Sequence, residues 1–575
     1  MLVGGAVVGW QAQQAKHDLV EARSSIDAAH QAVKNGDVLG AKSYLEAARS
    51  QARRAHGRIT GWVWTGYGHL PMAGPVVREA RGLIDVTNIV TSEVLAPLVS
   101  SAPGSAAWPG HADLDALRHT AGPLATADSR LNGVRTTLAE LPVSHVRALD
   151  QARKDLERAV SGLAGDVRDA SVAANVMPTL LGAKQTSHLL LVAQNLAEER
   201  ATGGLIGSFA VLSATKGRIS LERSGSDAAL VDSTAPVVDL GQEFQARYGA
   251  AQSASTWRSA NLTPDVPSAG AILAGLSSRQ LHVHVDAVVF VDPVALSGIV
   301  GVTGPVPVAG LGSVTADNAV PLLLKDVYAQ FATDQRARKE TLSRVLDAVV
   351  KRLEQPVPGR LAPALEKSVA SGHVSLYATD PLLESELRRS RVAGALPARG
   401  PFLSVVTQDV GGSKLDYYMH RSVSYDATPS PVAVDLGAGP ETVEDGQVTV
   451  ALRNDAPSGK LPAYVTTRAD APGPHAVGQL KTWVSVYLGP RSTYSSATLD
   501  GRPVSLSSET ENGLTVLSTY VSIDPGQQVR LVVTMEQPAA VGSVLTWRQQ
   551  PRVEPDLLDV RRSSSPAYDT VFDIG

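Results

Sequence analysis

The sequence predicts a multidomain α+β protein: an N-terminal helical bundle or stalk, a central α/β core and a C-terminal antiparallel β-sandwich. Three observations predict it. Apolar residues recur at alternating spacings of three and four from residue 13 to about 180. From His188 onward, strand-like runs alternate with helical ones. Past Phe402, helical periodicity gives way to short β-prone runs separated by turn residues. The expected divisions are residues 1–12, 13–180, 185–398, 400–552 and a polar, extended tail over 553–575.

Composition sets the first bounds. Hydrophobic residues make up 43% and charged residues 19% of the 575 positions, which describes a globular chain with ample core. Aromatics are only 5%, so Ala, Val and Leu fill the interior. A net charge of −4 provides no overall basic field, and nucleic acid is not expected as a partner. The absence of cysteine excludes disulfides, thiolate metal sites and cysteine nucleophiles.

The first ten residues, MLVGGAVVGW, are apolar and end at Gln11. A membrane-spanning helix needs about 20 apolar residues. The expectation is the remnant of an uncleaved, single-pass anchor that starts upstream, with Trp10 at the interface and the bulk of the chain outside the cytoplasm. Leu19, Ala22, Ile26, Ala29 and Val33 then form one stripe. Asn35-Gly36-Asp37 breaks it, and Val38, Ala41, Leu45, Ala48 and Ala52 repeat it, which predicts a helical hairpin with an alanine-rich seam. The segment from Gly61 to Pro75 reads either as a packed turn or as a membrane-surface contact through Trp62, Trp64 and Tyr67. Further helices are expected over 76–99 and from about Asp113, with the stripe Leu149, Ala152, Leu156, Val160, Leu163 and Val167.

In the core, Leu189–Val192 and Leu205–Leu212 read as strands around a polar loop. The loop carries Asn195, Glu198, Glu199, Arg200, Thr202 and the pair Gly203-Gly204. Residues 282–291 read as a buried strand ending at Asp292-Pro293, where Asp292 suits a helix N-cap. Helices are expected over 317–333 and 335–353. Strands are expected over 403–407, 417–426, 448–453, 483–488, 514–523, 529–534 and 544–547. The chain has no P-loop, no Rossmann fingerprint and no G-x-S-x-G frame.

Several segments together resemble the bacterial envelope family called domain of unknown function 4012. They include LLLVAQNLAEERATGGLIGSFAVL (189–212), NLTPDVP (261–267), VDAVVFVDPVALSGIVGVTGPVPVAG (285–310) and DYYMHRSVSY (416–425). That family usually shows a second Asn in place of Leu196. More distantly, the order of elements looks like the LytR-CpsA-Psr phosphotransferases, which attach lipid-carried glycopolymers to the cell wall. That likeness implies a LytR-CpsA-Psr-like core, a polyprenyl-phosphate-linked glycan or other envelope polymer as partner, and magnesium as the one cofactor to consider. Carried over by position, Arg200 and Arg338 match best and are the expected catalytic residues. Asn195 stands where those enzymes have an acid. The acid of their "RSDT" motif falls near Thr202-Gly203, where this chain has none.

Spacing adds to this. Leu342, Val345, Val349 and Leu353 share a stripe with Arg338 one turn earlier, which aims its guanidinium inward. Such a fork grips phosphate or a carboxylate bidentately, and an ion pair with Glu198 or Glu199 is equally open. Arg336 shares a polar face with Glu340, Ser343 and Asp347. Gly203 and Gly204 either permit a tight turn or present an anion nest. The expected ligand-binding residues are thus Asn195, Glu199, Thr202, Gly203, Gly204, Arg336 and Lys339, with no metal-ligand set. His282 and His284, two apart on a strand, lack an evident third ligand. Two functions are expected: binding or transfer of a polyprenyl-phosphate-linked glycopolymer by a phosphotransferase-like site, or a non-catalytic envelope scaffold.

Overall fold

The computed structural model describes residues 2–59, 64, 74–101, 108–109, 112–357, 361–430, 434–435, 440–470, 475–539, 543–562 and 571–573. The chain divides into two compact units, 1–184 with 356–366, and 185–355 with 367–575. The expected α/β core and sandwich both fall inside the second unit.

The first unit is helical: α1 (Leu2–Lys34), α2 (Val38–Ile59), α3 (Gly74–Ile89), a π-helical turn (Val90–Val94), α4 (Leu95–Ser101), α5 (Leu114–Glu140) and α6 (Arg147–Leu180). The α1–α2 turn follows from chemistry. Gly36 adopts φ 70°, and the Asp37 carboxylate accepts from the Gly40 N–H at 2.9 Å to start α2. Ala22, Ile26 and Ala29 are buried on α1 and Ala41, Leu45 and Ala48 on α2, so small side chains form the seam. Of the Gly61–Pro75 segment, only Trp64 and Gly74-Pro75 are described. Trp64 is buried beside Ala55, Ile59, Val77 and Ile84.

Gly74–Ser101 is long and apolar enough to cross a membrane, by length and composition. It is also part of this unit's core. Leu83, Val86, Val90, Val94 and Leu95 pack with residues of α1, α2, α5 and α6. Glu79, on the same helix, is fully buried and pairs with Arg153 at 2.8 Å.

The second unit begins with a five-stranded mixed sheet. Its strands are β1 (Ser187–Arg200), β2 (Gly203–Thr215), β3 (Arg218–Ser226), β4 (Ala287–Val291) and β7 (Val374–Ala378), in the order β3-β2-β1-β4-β7. Only β1 and β4 run parallel. The connection after β3 carries α7 (Gly241–Tyr248) and α8 (Val266–Leu276). Ile272, Leu273 and Leu276 of α8 pack on Leu190, Phe209 and Phe290 of the sheet. After β4 come α9 (Pro293–Thr303), the hairpin β5 (Val306–Val308) and β6 (Gly312–Val314), and α10 (Gln335–Leu353). Asp292 caps α9 as expected, accepting from Val294 N at 2.9 Å and Ala295 N at 3.0 Å.

The strand expected over 282–291 is shorter than the sequence suggests. It starts at Ala287, because His282 is in the left-handed region at φ 56° and ends a helical turn. His282 and His284 therefore do not share a strand face. His284 Nδ1 lies 3.2 Å from Ser278 Oγ instead.

The sandwich has two six-stranded sheets. One runs β14 (Ser507–Glu511), β15 (Leu514–Ile523), β11 (Leu480–Leu488), β8 (Phe402–Asp409), β17 (Leu545–Arg548) and β19 (Val571–Asp573). The other runs β13 (Arg502–Pro503), β12 (Thr493–Leu499), β16 (Gln528–Pro538), β10 (Val443–Asn454), β9 (Met419–Pro429) and β18 (Leu557–Arg562). The expectation of a wholly antiparallel sandwich is corrected, since β8–β17, β17–β19 and β9–β18 are parallel. The tail past 552 is not merely extended: residues 557–562 and 571–573 complete one edge of each sheet.

Candidate functional site

The polar loop expected between two strands is not a loop. β1 continues to Arg200, and only Ala201 and Thr202 turn the chain into β2. Asn195 pairs with Leu205 and Glu199 with Gly204, so Leu196, Ala197 and Glu198 bulge out with no partner on β2. Leu196 and Ala197 enter the hydrophobic core of the sandwich beside Tyr328, Leu415 and Met419. An apolar residue at 196 therefore fits its surroundings. The two glycines serve this geometry. Gly203 holds φ 137°, and a Cβ on Gly204 would lie 2.1 Å from the Asn195 carbonyl oxygen. This is the tight-turn role, with close backbone approach added.

The charged residues of the bulge are buried and paired. Glu198 takes Arg200 Nη2 on one oxygen at 2.9 Å and Lys414 Nζ on the other. Glu199 takes Arg552 Nε at 2.7 Å on one oxygen and the Thr407 hydroxyl at 2.6 Å on the other. Arg200 also donates to the carbonyls of Glu199 (3.0 Å) and Asp409 (2.9 Å). Burial pushes the Glu198 carboxyl up, but Lys414 and Arg200 together hold it below its ordinary value. Around this sit Asp409, whose oxygens accept from the Gly412 N–H and the Ser413 hydroxyl, and Asp416, which accepts the Glu199 N–H at 2.7 Å. Burial, and then the Glu198 charge, pushes Asp409 up to about 6. Burial and the charges of Asp409 and Glu199 raise Asp416 well above the carboxylate range. The cluster extends through Gln550, which donates to the carbonyls of Arg200 (3.0 Å) and Thr407 (2.7 Å), to the bidentate Arg421–Asp556 pair.

Arg338 is 2% exposed, as its stripe predicts, and among the described residues it meets aromatic rings rather than a carboxylate. Its guanidinium lies 3.8 Å from the Tyr464 ring centre and 4.9 Å from that of Tyr328. The two rings are near parallel, 6.1 Å apart. Asn195 joins this cage by donating to the Tyr328 hydroxyl, and its oxygen accepts the Ala197 N–H at 3.1 Å. Arg336 is exposed and pairs with Glu340 at 2.9 Å, while Lys339 pairs with Asp227 at 2.9 Å. Thr202 is buried, and its hydroxyl accepts from Gln194 (2.6 Å) and Asn261 (3.0 Å).

The structure thus brings buried Glu199, Arg200 and Arg338 and half-buried Asn195 into one layer and leaves exposed Arg336 apart from it. The residues that complete the layer, Lys414, Asp416, Tyr464 and Arg552, were missed. Their sequence neighbourhoods carry no periodic signal, although DYYMHRSVSY (416–425) contains Asp416 and Arg421. The magnesium implied by the phosphotransferase likeness finds no unengaged oxygen on Glu198 or Glu199. Both oxygens of Glu198 and both of Glu199 already accept from protein donors. A cavity of about 650 Å³ opens on the sandwich between Asp426, Gln447 and Arg561, and none of the residues of that layer lines it.

Fold and site together define an α+β module in which a bulged hairpin locks a mixed sheet onto a β-sandwich. Residues 184–328 match the family model described as protein of unknown function (DUF4012), so the chain carries that family's domain over this stretch. The comparisons do not show the likeness to the LytR-CpsA-Psr enzymes. No curated protein and no solved structure matches the chain.

Proposed function

We propose that this chain is a membrane-anchored, extracytoplasmic envelope protein that works as a non-catalytic scaffold, with its second unit as a rigid interaction platform. One observation carries the reading. The charged motif residues that would hold phosphate, Arg200 and Arg338, are enclosed and engaged by Glu198 and by two tyrosine rings. Anchoring through the N-terminal helix is supported by the apolar start of α1, which continues unbroken to Lys34.

The second reading is binding or transfer of a polyprenyl-phosphate-linked glycopolymer. Two observations favour it: Arg200 Nε and Arg338 Nη1 are each buried without a hydrogen-bond partner among the described residues. Native mass spectrometry of the full chain in detergent with added polyprenyl phosphate separates the two. The scaffold reading expects no saturable adduct. A stoichiometric adduct that Arg338→Ala abolishes would replace it with the second.

A further inference from the structure

A small cavity lies beneath the hairpin turn, between the mixed sheet and the sandwich edge. Its polar side chains are Thr202, Ser375, Arg391, Arg548 and Gln549, and no carboxylate lines it. Arg548 donates through Nη2 to the Pro264 carbonyl at 2.9 Å, while its Nη1 is buried with no hydrogen-bond partner among the described residues. A buried cation nitrogen without a partner is costly. Thr202 adds a second donor. Its oxygen already accepts two hydrogen bonds, from Gln194 and Asn261, so its own proton remains to be given. Burial also pushes Arg548 below its ordinary value, against the opposing charge of Asp265.

We propose that this cavity is a binding site for one monovalent, chloride-sized anion held by Arg548 and Thr202. The unpartnered Arg548 Nη1 and the Thr202 hydroxyl are both donors, and no carboxylate lines the cavity, which selects an anion over a cation. Size selects among anions. The cavity offers about 10 Å³, the room of one small occupant, which excludes phosphate and its esters. The anion would join β17 of the sandwich to the β1–β2 turn by accepting from the Arg548 Nη1 that has no hydrogen-bond partner among the described residues.

The test is a crystal of the full chain grown in sodium bromide, with anomalous data, alongside thermal unfolding in bromide and in gluconate at equal ionic strength. The proposal expects an anomalous peak within hydrogen-bond distance of Arg548 Nη1. It also expects an unfolding midpoint that rises with bromide concentration but not with gluconate. Arg548→Met should lose that halide dependence, and Arg548→Lys should keep part of it. A water-shaped peak without anomalous signal would overturn the proposal. So would a halide effect that persists undiminished in Arg548→Met. If Arg548→Met does not fold, the anomalous map of the unsubstituted protein decides alone.

Discussion

Glu199 and Arg552 stand 353 positions apart in the chain and meet at 2.7 Å, each side chain about 2% exposed. The pair ties the end of β1 to the segment that follows β17. A buried pair of this kind is expensive to break, because the survivor is left charged and unpaired. Glu199→Ala and Arg552→Met should each destabilise the second unit by roughly 3–5 kcal/mol. The double variant should cost clearly less than the sum, with coupling measured by denaturant unfolding in a double-mutant cycle.

Asp416 gives the unit a pH dependence. Its folded value is raised by burial and by Asp409 and Glu199, so folding favours its protonated form. The associated stability is present at acid pH and fades as pH rises, with Asp409 following through about 6. Arg200, Lys414 and Arg552 face the same cluster and limit the effect. Asp416→Asn keeps an acceptor for the Glu199 N–H. It should be more stable than the parent by about 1–3 kcal/mol at pH 8, with the gain vanishing below about pH 4, the ordinary aspartate value. Denaturant midpoints across pH check this.

The tyrosine cage predicts a stability role for Arg338. Arg338→Ala should cost about 2 kcal/mol or more, since the desolvated cation lies against two rings. Arg338→Lys should not restore it, because a compact ammonium does not stack. Arg336→Ala, on the exposed face, should stay within about 0.5 kcal/mol of the parent. Thermal unfolding compares all three.

Gly204 admits no side chain. Gly204→Ala would drive a Cβ into the Asn195 carbonyl and should cost about 3 kcal/mol or prevent folding. Gly207, three residues along the same strand, meets its nearest atom at 4.0 Å, so Gly207→Ala should fold normally. Circular dichroism and soluble yield distinguish them.

Regular elements with a buried face were legible. The stripe from Arg338 to Leu353 marked α10, and the apolar run at 514–523 marked β15 with the observed ends. Strands with polar faces were not. Thr493–Leu499, Ser507–Glu511 and Leu557–Arg562 are half-exposed edge or near-edge strands whose partners, rather than their own apolar content, define them. The candidate site was half legible for a related reason. Inward aim can be read from the stripe around Arg338, but what it meets cannot, because Tyr464 and Lys414 arrive through sandwich topology. The bulge at Leu196–Glu198 is set by contacts made more than 200 positions away, such as that of Glu198 with Lys414, |i−j| = 216.

The central claim is that the bulged end of β1 fastens the mixed sheet to the sandwich. Hydrogen exchange of the full chain, followed by mass spectrometry of peptides covering 187–200 and 402–409, tests it most directly. The account predicts that the two segments exchange through one shared opening, and that Glu199→Ala accelerates both by the same factor. Independent opening of 187–200, with 402–409 unchanged by Glu199→Ala, would contradict it.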